Sequence, residues 1–273
     1  VLDAGTAALW KAGAIFKRDA KLALSYEAQL FVQLVATISQ VLITYYIAWM
    51  VPPSPRFGYG GHSGTFFTYA IVNLAFVTLQ STALSSFGKT VREGQLQGTL
   101  EAILTTPTSL PVIVFSGGLW AFVLTLTTSF AMLALAVVLG LDVRHTNLLT
   151  LALFLLLTIA ALSPLGVLSA AATIVFKQSA PFEFLLATVS YMFAGVYVPV
   201  SLLPHALQLL GWLLPITHAL NGFRAAINGL PPSAVAGDAV WLVAAVAILV
   251  PVALAVFDKA VRQAKSDGSL GGY

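Results

Sequence analysis

Long uncharged runs alternate with short charged segments along this chain. About 20 apolar residues carry a helix across a bilayer. Runs of that order lie at about 30–51, 66–88, 110–139, 148–175, 182–200 and 239–257. Each is predicted to be helical, because an open strand edge in lipid leaves backbone polar groups without partners. Pro164 falls inside the fourth run, where it removes a backbone donor and is expected to kink the helix. The run from Phe184 to Phe223 is uncharged and about 40 residues long, too long for one crossing. Pro199, Pro204 and Pro215 interrupt it. The pattern predicts a span ending near Val200. Two short helices follow, Leu202–Leu214 and Ile216–Ile227, as a hairpin over about 201–228 that dips into the outer leaflet and returns. Two full crossings with a tight turn are the rival topology, and the prolines and His205 count against it.

Before the first run, residues 7–25 read as an amphipathic helix. Lys11, Lys17, Arg18 and Lys21 share one arc, and Leu9, Ala12, Phe16, Ala20 and Ala23 lie roughly opposite. Such a helix rests on a membrane surface, with its cations at anionic headgroups and Phe16 at the acyl boundary; an ordinary solvated helix is the alternative. The expected organisation is an interface segment, 1–29, followed by a membrane domain, 30–273. The fold class is thus an all-α polytopic membrane protein with six transmembrane helices and a re-entrant hairpin before the last.

Composition strengthens this picture. The chain has 273 residues, 59% hydrophobic and 8% charged, whereas soluble domains carry about 25% charged residues. A net charge of +3 offers no basic face for a phosphate backbone, so nucleic-acid binding is not expected. With six spans, Lys11, Lys17, Arg18, Lys21, Lys89, Arg92, Lys177, Lys259, Arg262 and Lys265 share one side. Only Arg56, Arg144 and Arg224 face the other. Positive charge favours the cytoplasmic side, so both termini are expected there. There is no cysteine, which excludes disulfides, thiol catalysis and Cys-based metal sites. The charged first 25 residues hold no uninterrupted signal-peptide core, so the later spans are expected to drive insertion.

The segment from Lys89 to Pro107 is the most informative. Val91, Leu96, Leu100, Ile103 and Leu104 are interleaved with Arg92, Glu93, Gln95, Gln97 and Glu101, which suggests a short helix at about 91–104, stopped before Pro107. A turn between membrane helices can be a few residues long. A helical loop of about 20 suits a partner groove that accepts a short helix. The run REGQLQGTLEAILTTPTS, Arg92 to Ser109, resembles the first cytoplasmic loop of type-2 ATP-binding-cassette (ABC) exporter permeases of bacteria. PITHALNGFRAAING, Pro215 to Gly229, resembles the segment before the last span of that family. The resemblance implies a coupling helix docked on a separate ATPase subunit through Arg92, Glu93, Gln97, Gly98, Thr99, Leu100 and Glu101. Glu93 and Glu101 match acidic positions of the family, and Gly98 would allow close backbone approach. It also implies two permease chains, expected as a homodimer, with two ATPase chains. ATP and Mg would sit on the partner, with no cofactor on this chain. The architecture points to a bacterial inner membrane.

Other features carry weaker chemistry. Gly88-Lys89-Thr90 imitates the end of a phosphate-binding loop, but Ala83 occupies the position where the first glycine is required. His62 stands alone, and His205 and His218 lack further ligands, so no metal site is expected. Glu183, at the inner end of the fifth run, could pair with Lys177, meet water or serve function. Arg224 could meet an anionic headgroup or cap a helix end. A cargo pathway could use Tyr45, Tyr46, Glu183, Tyr191, Phe193 and Tyr197, although ordinary lipid contact explains many such aromatics. An ion-coupled transporter would need ionisable groups near the midplane, which the spans do not offer. A lipid-acting membrane enzyme would need convergent groups, and Asp142, His145, His205, His218 and Asp238 are scattered along the sequence. An exporter permease for a drug-like amphiphile, a lipid or a lipid-linked glycan accounts for most of the chain.

Overall fold

A computed structural model describes residues 4–52, 65–96, 110–178, 180–197 and 199–266. Among these there are nine α-helices and no strand. Helix α1 (Ala4–Ser25) is followed by α2 (Glu27–Trp49), α3 (Phe66–Leu96), α4 (Leu110–Val138) and α5 (Leu148–Phe176). Then come α6 (Ala180–Phe193), α7 (His205–Leu213), α8 (Pro215–Ile227) and α9 (Ala236–Ser266). Five of them, α2, α3, α4, α5 and α9, are long and apolar enough to cross a membrane.

Helix α3 is the hub. It packs on α4 and α5, and α5 in turn packs on α9 and α8. Its buried residues surround the helix, as expected of an element enclosed by neighbours. Phe76, Leu79, Ala83, Phe87 and Val91 run down the core with Phe154, Leu162, Leu220 and Leu242. A smaller cluster joins Val41 of α2, Ile71 of α3 and Met132 of α4. The membrane-facing layer is the reverse: α2 buries only Thr37 and Val41, and it exposes Phe31, Val32, Leu34, Ile43 and Ile47. So many bare aliphatic side chains are stable only where the solvent is itself apolar.

Small residues let the hub helices approach closely. A Cβ on Gly166 of α5 would collide with the Ala83 carbonyl and the Phe87 ring of α3. One on Gly222 of α8 would overlap the Phe154 ring. In lipid, where apolar surfaces gain nothing by leaving the solvent, such close packing replaces the hydrophobic drive.

Helix α1 presents a half-buried stripe of Ala12, Ile15, Phe16, Asp19, Ala20 and Ala23, with Lys17, Arg18 and Lys21 exposed. The stripe lies against α4, and Phe16 meets Trp120 edge-on at 5.6 Å between ring centroids. Phe16, expected at the acyl boundary, is half-buried on α4. Asp19 sits in the stripe, bound to Arg18 at 2.8 Å.

The ends of α3 and α6 differ from the sequence expectation. The second span was expected to stop near 88, but α3 runs unbroken to Leu96. Its 31 residues make about 46 Å of helix, against about 30 Å of hydrocarbon. Lys89 does not end it, because charge limits membrane depth but not helix continuity. The fifth span was expected to reach Val200, but α6 stops at Phe193 after 14 residues, about 21 Å. Gly195 (φ +81°) turns the chain there into a left-handed conformation that glycine adopts without strain. Helix α5 continues through Pro164 to its left-handed cap at Lys177. The expected helix pair after Val200 is present as α7 and α8, divided at Pro215.

The segment between α5 and α9 carries the chain back along the bundle. Asn147, the N-cap of α5, donates its main-chain N–H to the Ala226 carbonyl at 2.8 Å. Thr150 donates its hydroxyl to the Leu230 carbonyl at 2.8 Å. The end of α8 thus lies beside the start of α5, and α9 begins at that same end.

Candidate functional site

The expected coupling residues divide at the boundary of the described chain. Arg92 and Glu93 ride on the last turns of α3, where Glu93 faces Lys89 at 3.8 Å across one turn. Both groups are exposed, and such a pair adds only about 0.3–0.5 kcal/mol. Gln97, Gly98, Thr99, Leu100 and Glu101 lie outside the described residues.

The candidate pathway residues fall into two aromatic groups. On α2, Tyr45 meets Tyr46, Trp49 and Phe67 of α3 at 5.7, 6.1 and 5.5 Å. At the end of α6, Tyr191 meets Tyr197 edge-on at 5.6 Å. Phe193 closes α6, and its carbonyl lies where a Cβ on Gly211 would need to be. No described ring contact joins the two groups. Glu183, in the first turn of α6, accepts a hydrogen bond from Ser169 of α5 at 2.7 Å.

The polar centre that the structure assembles is elsewhere. Arg224 was expected at a headgroup or a helix cap. It instead reaches from α8 to α3 and to the break after α6. Its Nη2 donates to Asn73 Oδ1 at 2.8 Å and to the Gly195 carbonyl at 2.6 Å. The guanidinium lies 4.4 Å from the centre of the Tyr69 ring. Tyr69 donates its hydroxyl to the same Gly195 carbonyl at 2.6 Å, and Asn73 donates to the Val196 carbonyl at 2.6 Å. Residues 194–197 form no helix, so their carbonyls need partners from elsewhere. Arg224, Asn73 and Tyr69 supply them. Hydrogen bonds to a charged group contribute about 1.5–3 kcal/mol each. An arginine and an asparagine inside apolar runs were the sequence signal, but their pairing across 151 positions was not readable from spacing.

Two of the five residues scattered in sequence do meet. Asp238 of α9 lies 2.6 Å from His218 Nδ1, and Asn221 donates to the same carboxylate oxygen at 3.2 Å. His218 Nε2 lies 2.8 Å from the Trp212 carbonyl, which also accepts from Trp241 Nε1 at 2.9 Å. A carbonyl can only accept, so Nε2 carries the hydrogen. With both nitrogens engaged, His218 has no ring atom left to take a proton from a substrate. The group clamps α7, α8 and α9 together. Asp142 accepts from the Arg144 amide at 2.9 Å. No group of three or more metal-ligating side chains occurs among the described residues.

Five long apolar helices with an apolar exterior, held by polar ties between helices, define a multi-pass membrane protein. The profile of the ABC-2 type transporter family matches residues 11–228, and the chain belongs to that family. It is therefore the transmembrane component of an ABC transporter, a kind of chain that generally lacks its own ATPase site and normally works with a separate ATP-binding subunit. Comparison with curated proteins gives no match.

Proposed function

We propose that this chain is the permease of an ATP-driven exporter that moves an amphipathic molecule out across a bacterial cytoplasmic membrane. The cargo class is a drug-like amphiphile, a lipid or a lipid-linked glycan. A separate ATPase subunit holds ATP and Mg, and this chain binds no cofactor of its own. Two copies of the permease pair as a homodimer. Both termini are cytoplasmic, with α6 and the α7–α8 hairpin forming the fifth passage and its re-entrant return. The return of the chain to the start of α5 supports that topology.

The observation that carries the coupling mechanism is the length of α3. A helix about 16 Å longer than the hydrocarbon core projects Arg92 and Glu93 into the cytoplasm without a joint. A force on the segment 97–101 would then pass directly into the helix that α4 and α5 pack against. The partner does work only through contacts that differ between its nucleotide states. Gln97, Gly98, Thr99, Leu100 and Glu101, with Arg92 and Glu93, form the proposed contact. Tyr45, Tyr46, Glu183, Tyr191, Phe193 and Tyr197 are proposed pathway residues. Co-purification with the genetically adjacent ATPase in mild detergent tests the coupling. Capture with vanadate-sensitive ATP hydrolysis, weakened by Glu101→Lys, is the expected result. No capture, or a variant equal to wild type, would sink the coupling role of the loop.

A further inference from the structure

A cavity of about 250 Å³ lies between α3, α5, α6, the α7–α8 junction and α9. A single water needs only about 10–15 Å³ by this measure. The wall is aliphatic: Leu84, Leu165, Leu186, Val189, Ile216 and Ala245 are among its residues. Leu213 and Ile248 also belong to it, and they are 64% and 62% exposed on the apolar exterior, so the cavity reaches the bilayer-facing surface. Water is not held stably by so apolar a lining.

One residue of the wall has no local explanation. Gln80 is 1% exposed, and neither its Nε2 nor its Oε1 has a hydrogen-bond partner. It stands fourteen residues, about 21 Å, below the start of α3, deep within the span. The other polar side chains of the wall are engaged. Ser190 donates to the Leu186 carbonyl at 2.7 Å, and Trp241 donates to the Trp212 carbonyl at 2.9 Å. The Gln80 amide sits within the wall, closed to water. Turning it towards the cavity breaks no hydrogen bond, because it makes none.

We propose that this cavity binds a long-chain amphiphile carrying one hydroxyl or carbonyl group, entering sideways from the bilayer, with Gln80 as its polar contact. An amide offers both donor and acceptor, so either group can be met. The aliphatic wall takes the chain, and the polar group satisfies the one unpartnered amide in it. An alkane of the same length fills the cavity but leaves Gln80 unpaired. The site rests on the membrane placement and not on ATP coupling or on the identity of the exported cargo.

The test uses the full chain in phosphatidylcholine nanodiscs and a hexadecanol bearing a mid-chain diazirine. After photolysis, label is expected on Leu84, Leu165, Val189 or Ala245. Excess hexadecanol should compete, and hexadecane should need about tenfold more. Gln80→Leu should lower labelling about tenfold, the loss of one hydrogen bond, while thermal unfolding stays at or above that of wild type. Ala245→Phe fills the cavity with Gln80 untouched and should abolish the label. Equal competition by hexadecane overturns the proposal, as does labelling confined to Leu254 and Val256 on the exterior or unchanged in both variants. The competition arms use wild type alone, so they decide the matter even if a variant does not fold. A failed capture of the ATPase would leave this result intact, and the reverse also holds.

Discussion

Arg224 holds three elements through one side chain. Its Nη2 meets an amide oxygen on α3 and a main-chain carbonyl after α6 at once. A lysine ammonium could also donate twice from one nitrogen, but it lacks the planar guanidinium that lies over the Tyr69 ring. Arg224→Met should destabilise the protein by about 3 kcal/mol, because Asn73 loses its donor and the Gly195 carbonyl keeps only Tyr69. Arg224→Lys should recover less than half of that loss. Thermal unfolding in detergent reads both, and a lysine variant as stable as wild type would show that charge alone suffices. The sequence left Arg224 between an anionic headgroup and a helix end, and did not point to α3. Charge in an apolar run tells that a partner is needed, not which one, when the partner lies 151 positions away. His218 and Asp238 escaped for the same reason: each stands alone in sequence, and only the fold of α8 against α9 unites them.

At the level of elements, hydropathy located the helices better than their ends. The runs expected at 30–51 and 148–175 correspond to α2 and α5 within a few residues, because desolvation of the side chains sets both run and span. The ends of α3 and α6 moved because they answer to backbone chemistry. Helix α3 meets no proline or left-handed residue before Leu96, while α6 meets Gly195 just past its last turn. The break at Pro215 was readable, since proline suits the first turn of a new helix and not the interior of an old one. Contact between α5 and α8 depends on Gly222, whose missing Cβ leaves room for the fully buried Phe154 ring. Gly222→Ala should therefore cost about 1–3 kcal/mol by overpacking. In the background of Phe154→Leu the same change should cost at least about 1 kcal/mol less, the signature of a direct contact. Additive losses in that cycle would place the strain elsewhere.

For the whole molecule, the chain offers a natural cysteine-free background. The proposed topology puts Val143 outside and Gln263 inside, three passages apart. A membrane-impermeant maleimide applied to intact cells should label Val143→Cys and spare Gln263→Cys, and inverted vesicles should give the opposite. Both positions are exposed, so a missing label reports the side and not burial. Labelling of both from one side would mean that α6 and the hairpin return without crossing, which would invert α9. The proposed partner contact rests on the sequence at 92–109, through its mixture of apolar and acidic positions beside a membrane run. The long-range polar ties and the cavity beside Gln80 were silent in it, because a solitary glutamine in a span has no spacing to interpret.

The left-handed turn at Gly195 has a mechanical meaning. Its carbonyl is fastened from two directions, by Tyr69 and by Arg224. Helix α6 is therefore anchored just past its last turn. At the other end the Ser169–Glu183 hydrogen bond ties it to α5. A helix tied at both ends is carried by α3, α5 and α8 together and is not free to pivot on one of them.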